Sequence, residues 1–185
     1  MKLNLQDYVR VYKNISAEVC NKSLDELETA DWQPHTFYNS ITNNVYSNPN
    51  DCHAYYGRLS NDMDLIQCIG KTLNQYISEI DVVSFKELKQ FSPIVYHRYT
   101  EGCEMEVHTD HIHSLFDGEK KGIPVLSIVG LLNDNYTGGD FIMFDDLKIK
   151  LTAGDFIVFP SVFLYPHKIS KVLSGTRNSF VSWAW

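Results

Sequence analysis

The second half of the chain, from Pro93 onward, consists of short apolar stretches separated by turns, which is typical of a β-protein. Gly138-Gly139 and Gly154-Asp155 have the composition of tight turns. The predicted strands are 94–100, 104–110, 125–132, 140–144, 148–151, 155–159, 167–172 and 178–185. Eight short strands with regular turns predict a sandwich or a barrel.

The first ninety residues are predicted to be mainly helical. Ser16 can cap a first helix, whose apolar residues recur near helical spacing. A second helix is predicted over 61–80, where the apolar residues form one stripe. Ser84 and Glu87 have the spacing of a capping box for a short third helix, and Pro93 ends helical structure. Helices that precede the strands are expected to support one face of a sheet.

The segment 33–58, between the first two predicted helices, contains five asparagines and five aromatic residues. This composition favours turns and irregular backbone. A long loop in a compact domain is often a lid or a binding loop, and Tyr56 and Arg58 are then candidates for substrate contact. The alternative is a surface loop whose tyrosines pack against the helices.

Length and charge restrict the class of protein. The chain has 185 residues, which suits a single domain, and a net charge of −7 without a cluster of Lys and Arg. A nucleic-acid partner is therefore not expected. No apolar run is long enough to span a membrane, and the first residues do not resemble a signal peptide. Four scattered cysteines without a Cys-x-x-Cys pair predict reduced thiols in a cytoplasmic protein.

Three polar residues have the composition of a metal site. His108 and Asp110 are two residues apart on a predicted strand, so their side chains point to the same face. His167 lies on a later strand, which a barrel can bring opposite this pair. Two histidines and one carboxylate can bind a ferrous ion on one face and leave its other positions open. The alternative is three ordinary polar residues; His111 and His113 are expected to be loop or surrounding residues rather than ligands.

Arg177 begins the last predicted strand and, by alternation, shares one strand face with Val181 and Trp183. If this face is buried, the guanidinium needs an anionic partner, because an unpaired buried charge is costly. That partner is either a bound carboxylate, which arginine binds with two parallel hydrogen bonds, or a structural Asp or Glu.

Ordered motifs fill the second half of the chain. They are Tyr99-Thr100-Glu101-Gly102, His108-x-Asp110, Leu131-Leu132-Asn133-Asp134, Gly138-Gly139-Asp140, Ala153-Gly154-Asp155, Phe159-Pro160-Ser161, Pro166-His167-Lys168-Ile169, Val172, Ser174-Gly175-Thr176-Arg177 and Trp183. In order and spacing they resemble those of the 2-oxoglutarate and Fe(II)-dependent oxygenases, especially the prolyl 4-hydroxylase-like branch. His-x-Asp alone is a weak signal, whereas the whole series is specific.

The resemblance implies a double-stranded β-helix, which is a jelly-roll, cupin-like barrel, supported by N-terminal helices. It implies one domain, in which 1–92 supply helical support and a substrate loop and 93–185 form the catalytic barrel. The implied metal ligands for Fe(II) are His108, Asp110 and His167. The implied co-substrate residues for 2-oxoglutarate are Arg177, Tyr99 and Trp183; ascorbate is a further implied cofactor. Some relatives have a co-substrate tyrosine where this chain has Leu131, which places more of the polar contact on Tyr99.

The activity implied by the resemblance is hydroxylation of a C–H bond with dioxygen, with release of succinate and carbon dioxide. The expected substrate is a prolyl residue in a peptide or protein. The alternatives are a hydroxylase of a free amino acid or small metabolite, a metal-dependent isomerase or dioxygenase that does not use 2-oxoglutarate, and a non-catalytic module that binds 2-oxoglutarate or a metal on the same fold.

Overall fold

A computed structural model describes residues 4–39, 42, 44–80, 90–110 and 124–185. Within these ranges the protein is mainly β, with a 3-10 helix at Leu5–Tyr8 and the helices α1, Ala17–Leu27, and α2, Asp62–Ile80. The strands are β1 Arg10–Lys13, β2 Gln33–Pro34, β3 Phe37–Asn39, β4 Asn44–Tyr46, β5 His53–Tyr55, β6 Val95–Tyr99, β7 Met105–His108, β8 Leu126–Leu131, β9 Thr137–Gly138, β10 Phe141–Met143, β11 Leu147–Ile149, β12 Asp155–Pro160, β13 His167–Ile169, β14 Val172–Ser174 and β15 Arg177–Ala184.

The strands form two large sheets and two small ones. A seven-stranded sheet has the order β1-β12-β8-β15-β6-β5-β2, and a four-stranded sheet has the order β11-β10-β13-β7. The small sheets are β14-β9 and β3-β4. Each predicted strand of the second half is present, although the predicted strand 167–172 is divided into β13 and β14. Neighbours in both large sheets are antiparallel. Apart from the hairpin of β10 and β11, they come from distant parts of the chain.

The central strands of the seven-stranded sheet separate two apolar cores by simple alternation. Ile128 and Phe180 contribute to the core that contains the buried residues of α1 and α2. Val129 and Val181, the neighbours of these residues along the strands, contribute to the core that includes the four-stranded sheet. The helices therefore cover one face of the large sheet, as predicted, and leave the other face for the space between the sheets.

The first two predicted helices are confirmed as α1 and α2. The Ser16 hydroxyl accepts a hydrogen bond from the Val19 amide at 3.3 Å, which caps α1. The buried side chains of α2 recur every three to four residues, with Thr72 and Leu73 adjacent; they are Leu65, Ile69, Thr72, Leu73 and Tyr76. The predicted third helix around Ser84 lies outside the described residues. Neither described helix combines the length and apolar character needed to cross a membrane.

The first half also contains strands that the sequence did not predict. The described part of this half contains five strands, and β1 and β5 join the seven-stranded sheet beside β12 and β6. The segment 33–58 accordingly contains β2 to β5 rather than irregular structure alone. These strands have two to four residues, too few to show alternation, and they form because they pair with the edges of a sheet that is built later in the chain.

Candidate functional site

A cavity of about 390 Å³ lies between the two large sheets. Strands of the seven-stranded sheet contribute His97, Tyr99, Val129 and the inward side chains of β15 to its wall. Strands of the four-stranded sheet contribute the opposite wall, and the segment 35–37 together with Val45 forms part of the border. The cavity therefore collects residues from both halves of the chain.

The three predicted metal ligands meet in this cavity. β7 and β13 pair so that His108 lies opposite His167, with the ring centroids 4.3 Å apart. The Oδ1 atom of Asp110 lies 3.7 Å from Nε2 of His108 and 3.9 Å from Nε2 of His167. The three ligand atoms all lie within 4.8 Å of one another, so a single cation could contact all of them.

Backbone carbonyls fix the two histidine rings in the orientation that a metal requires. Nδ1 of His108 lies 2.9 Å from the Glu106 carbonyl oxygen, and Nδ1 of His167 lies 3.2 Å from that of Tyr165. Because a carbonyl can only accept, each Nδ1 carries the proton and donates it. The lone pair is then on Nε2, the atom that faces Asp110.

The protonation states also suit a divalent cation. Burial opposes ionisation of Asp110, but His167, His108 and the hydrogen bond that Ser127 donates at 2.6 Å hold its pKa below the ordinary value. Burial lowers the pKa of His167, which keeps its imidazole neutral. One carboxylate and neutral imidazoles are the forms that bind metals.

Arg177 is a buried cation without an anionic partner among the described residues. Its side chain is 1% exposed, and Nη1 donates a hydrogen bond to the Ser179 hydroxyl at 2.6 Å. Nε is buried and has no hydrogen-bond partner, and the described ion pairs do not include this residue. Of the two alternatives that the sequence left open, a structural carboxylate is therefore absent from the described part of the chain.

The surroundings of Arg177 are aromatic and small. Tyr99 lies opposite Arg177 on the paired strands β6 and β15, and its ring centroid is 5.2 Å from the guanidinium carbon. Gly139 has a φ of 60°, and a Cβ atom there would lie 3.1 Å from Cδ of Arg177, so glycine leaves room for the arginine. Tyr136 lies on the other side; burial raises the pKa of its hydroxyl and Arg177 opposes that rise.

The other predicted site residues divide into two groups. Trp183 lines the cavity, and its indole acts on the carboxylate of Asp110, whose pKa it helps to lower. Tyr56, which is 60% exposed, and Arg58 do not line the cavity, so their contact with a substrate stays a prediction. His111 and His113 lie outside the described residues.

Sequence reasoning missed two histidines of the cavity wall, His35 and His97. His97 is two residues before Tyr99 on the same strand, so alternation alone could have placed it in the cavity. His35 has no comparable signal, because it follows β2, a strand of only two residues. Tyr136 was also missed; it comes two residues before the Gly138-Gly139 turn and forms a hydrogen bond with Arg177.

Comparisons with known proteins agree with this geometry. Residues 94–185 match the family model of the 2OG-Fe(II) oxygenase superfamily. A PKHD-type hydroxylase of Acinetobacter baumannii is 34% identical over 99 residues, which cover 50% of this chain and 42% of the relative. The match thus spans less than half of the length of that relative.

Two solved structures share the fold over nearly the whole chain. A prolyl-4-hydroxylase of Pseudomonas putida has a TM-score of 0.66 at 18% identity and covers 96% of this chain and 91% of its own. A prolyl hydroxylase of Trichoplax adhaerens has a TM-score of 0.71 at 15% identity, with 96% and 83% covered. The family match and the structural similarities agree with the contents of the cavity, which are two histidines, an aspartate and a buried arginine. The chain therefore belongs to the 2OG-Fe(II) oxygenase superfamily and is prolyl 4-hydroxylase-like.

Proposed function

We propose that this protein is a 2-oxoglutarate- and Fe(II)-dependent dioxygenase that hydroxylates prolyl residues in a peptide or protein and releases succinate and carbon dioxide. The observation that carries the proposal is one cavity in which the cluster of His108, Asp110 and His167 lies together with Arg177, a buried cation without an anion among the described residues. Metal ligands and an anion site in the same cavity are what this chemistry needs.

The metal would be held by Nε2 of His108, Oδ1 of Asp110 and Nε2 of His167. Bound Fe(II) would supply the centre at which dioxygen and 2-oxoglutarate react. The protein's contribution is to fix these three atoms in advance. The carbonyls behind both rings and the Ser127 hydroxyl behind the carboxylate hold the ligand atoms toward one point.

The distal carboxylate of 2-oxoglutarate would pair with Arg177. Ser179 and Tyr136 hydrogen-bond the guanidinium, whereas its buried Nε has no partner among the described residues and is available for a contact with a carboxylate. Tyr99 would cover the face of this ion pair, and Trp183 would border the space beside the metal. The buried arginine also gives the cavity a local positive charge in a chain whose net charge is −7, which favours an acidic co-substrate.

A peptide substrate is supported by the border of the cavity. Phe37 and Val45 line this border, and the Val45 side chain is 65% exposed, so an apolar surface lies beside the cavity. Tyr56 is close to Thr36, a lining residue whose hydrogen bond opposes the rise in the Tyr56 pKa that burial causes. Tyr56 and Arg58 are therefore proposed to contact the peptide outside the cavity. The Trichoplax adhaerens prolyl hydroxylase was solved in complex with a peptide fragment, which is consistent with this mode.

The proposal includes the organisation of the chain. The residues 93–185 would form the catalytic double-stranded β-helix, and their strands in the two large sheets would be its walls. The residues 1–92 would supply the helices, three further strands of the seven-stranded sheet and the substrate border of the same domain. The two sheets enclose a common apolar core, and the structural relatives share the fold, which supports this reading. A cytoplasmic location and the use of ascorbate stay predictions.

Turnover with a library of proline-containing peptides tests the function. Purified protein with Fe(II), 2-oxoglutarate and air should add one oxygen atom to a proline and form one succinate per product, and His167→Ala should form neither. Succinate formed only with free amino acids would move the substrate to the small-molecule class. Oxidation only at residues other than proline would refute the prolyl assignment, and no succinate under any condition would refute the dioxygenase.

A further inference from the structure

His35 and His97 form a polar face of the cavity that neither metal binding nor co-substrate binding uses. Their rings meet edge to face, with the centroids 5.3 Å apart, and both residues line the cavity. They come from different halves of the chain: His35 follows β2, and His97 lies in the middle of β6, two residues before Tyr99. Two imidazoles on the wall of a largely apolar cavity are candidates for substrate recognition.

Asp51 fixes the orientation of His35. Its Oδ2 atom lies 3.0 Å from Nδ1 of His35, and its Oδ1 atom accepts the Cys52 amide hydrogen at 2.8 Å. The aspartate is 4% exposed, so both of its oxygens have buried partners. Because the Asp51 carboxylate accepts this hydrogen bond, Nδ1 of His35 carries the proton, and in this tautomer Nε2 is an acceptor. No described residue donates a hydrogen bond to this Nε2 atom.

A second metal site is the competing interpretation of these residues, since ligand atoms of His35, Asp51 and Cys52 lie within 4.8 Å of one another. Two observations oppose it. Both Asp51 oxygens are already used in hydrogen bonds, and burial, followed by the charge of Asp51, raises the Cys52 pKa, so the sulfur is a protonated thiol rather than a thiolate ligand. His35, Asp51 and Cys52 are therefore joined by hydrogen bonds, and within the described ranges Nε2 of His35 is not used by them.

His97 is an uncharged partner beside this acceptor. Burial, with His35 and Arg177 acting in the same direction, lowers the His97 pKa to about 3, so its ring is neutral at physiological pH. The described hydrogen bonds do not include its side chain. The face formed by the two rings thus offers ring nitrogens as hydrogen-bonding atoms, which suits the amide of a peptide.

We propose that His35, oriented by Asp51, recognises a backbone N–H of the substrate and, with His97, sets which C–H bond is turned toward the metal. This inference rests on the proposed function and adds to it the residues that select the substrate. The N–H group involved is the one that follows the target residue, because proline itself has none. His35 would contact the substrate, whereas Asp51 would act through His35 as a positioning residue.

A matched pair of probes isolates this hydrogen bond. The first probe is acetyl-Ala-Pro-Ala methylamide; the second is the same molecule with an ester oxygen in place of the N–H that follows proline. Binding is measured without oxygen, in protein loaded with Fe(II) and 2-oxoglutarate, from the change that the probe causes in the visible charge-transfer band of the chelate. The wild type should bind the amide about tenfold more tightly than the ester.

Three variants distinguish recognition from folding. His35→Asn places its amide nitrogen near the position of Nδ1, so it keeps the contact with Asp51 but has no atom at the position of Nε2; the preference for the amide should fall below about twofold. His35→Gln places its carbonyl near the position of Nε2 and should retain the preference. Asp51→Asn offers an amide N–H to Nδ1, which shifts the ring proton to Nε2, and the preference should again be lost. The chelate band should persist in all three.

The outcomes separate the two proposals. A wild-type protein that binds both probes equally, or a His35→Asn variant that retains the tenfold preference, would overturn the role of His35. Loss of the chelate band together with the preference in His35→Asn would also overturn it, because the residue would then act on the metal centre or the fold. A wild-type protein that forms no chelate band would instead refute the proposed function, and this inference with it.

Discussion

Replacing Arg177 with methionine should separate co-substrate binding from folding. The guanidinium is 1% exposed, its Nε atom has no partner, and its hydrogen bond to Ser179 is to a neutral group. A buried charge without an anion costs several kcal/mol, and an apolar side chain of similar length removes that cost. Loss of the hydrogen bond to Ser179 destabilises the variant by about 1 kcal/mol and offsets part of this gain. Without 2-oxoglutarate, the free energy of unfolding of Arg177→Met should therefore equal that of the wild type or exceed it by up to about 2 kcal/mol.

The variant should fail to respond to the co-substrate. A ligand at a hundred times its dissociation constant stabilises the wild type by about 2.7 kcal/mol. For a domain of this size, that free energy raises the midpoint of thermal unfolding by roughly 5 to 11 °C. Removal of one partner of a buried charge pair costs about 2 to 5 kcal/mol, which weakens 2-oxoglutarate binding by roughly thirtyfold to several thousandfold. At the same concentration of 2-oxoglutarate, the stabilisation of Arg177→Met should consequently fall from about 2.7 kcal/mol to below about 1 kcal/mol.

Thermal unfolding followed by circular dichroism, in anaerobic Fe(II) with and without 2-oxoglutarate, measures both quantities. Arg177→Lys is the matched control: it retains the buried charge, so it should gain no stability without the co-substrate, and its single ammonium should bind 2-oxoglutarate more weakly than the wild type. Destabilisation of co-substrate-free Arg177→Met by more than about 2 kcal/mol would refute the reasoning, because the guanidinium would then have a structural partner. A shift with 2-oxoglutarate equal to that of the wild type would refute it as well.

Three further predictions concern packing, pH and metal. A Cβ at Gly130 would lie 2.2 Å from the Phe180 ring, whereas nothing lies within 4 Å of a Cβ at Gly70 in α2; urea unfolding should show Gly130→Ala destabilised by about 1–3 kcal/mol and Gly70→Ala stabilised by about 0.5–1 kcal/mol. Burial lowers the pKa of His97 to about 3 in the folded protein, so the unfolded chain binds a proton at His97 at higher pH than the folded chain does. The free energy of unfolding therefore decreases as the pH is lowered below about 6.5. Denaturant titrations at pH 5 and 6 measure this decrease, which should be smaller in His97→Leu than in the wild type by up to about 1.4 kcal/mol per pH unit. An equal dependence on pH in both proteins would contradict a neutral His97. Equilibrium dialysis should show Fe(II) binding by His167→Ala weakened at least about tenfold, and unaltered affinity would exclude that residue as a ligand.

The second half of the fold was predictable because its strands are long enough to carry a local signal. β8, β12 and β15 have six to eight residues, alternate between the two cores and end at turns with characteristic composition. The metal cluster was predictable for the same reason, since a spacing of two places His108 and Asp110 on one face. The position of His167 opposite His108 was predicted with the help of the family resemblance. In the structure it results from the pairing of β13 with β7.

The parts that could not be predicted depend on contacts between distant segments. The strands β1 to β5 are short and form at sheet edges that other parts of the chain provide. His35 is tied to Asp51, which is sixteen residues away, by a hydrogen bond that no local pattern indicates. Tyr136 approaches Arg177 beside the turn at Gly138-Gly139, and no local pattern in the sequence indicates this contact.

The most direct test of the central claim is an anaerobic titration of the protein with Fe(II) and 2-oxoglutarate, followed in the visible spectrum. The account predicts a weak charge-transfer band that needs both components, saturates at one iron per chain, and is lost in His167→Ala and strongly weakened in Arg177→Met. A wild-type spectrum without such a band would contradict the claim that the two histidines, the aspartate and the buried arginine form one site. A band that is as strong in both variants as in the wild type would contradict it as well.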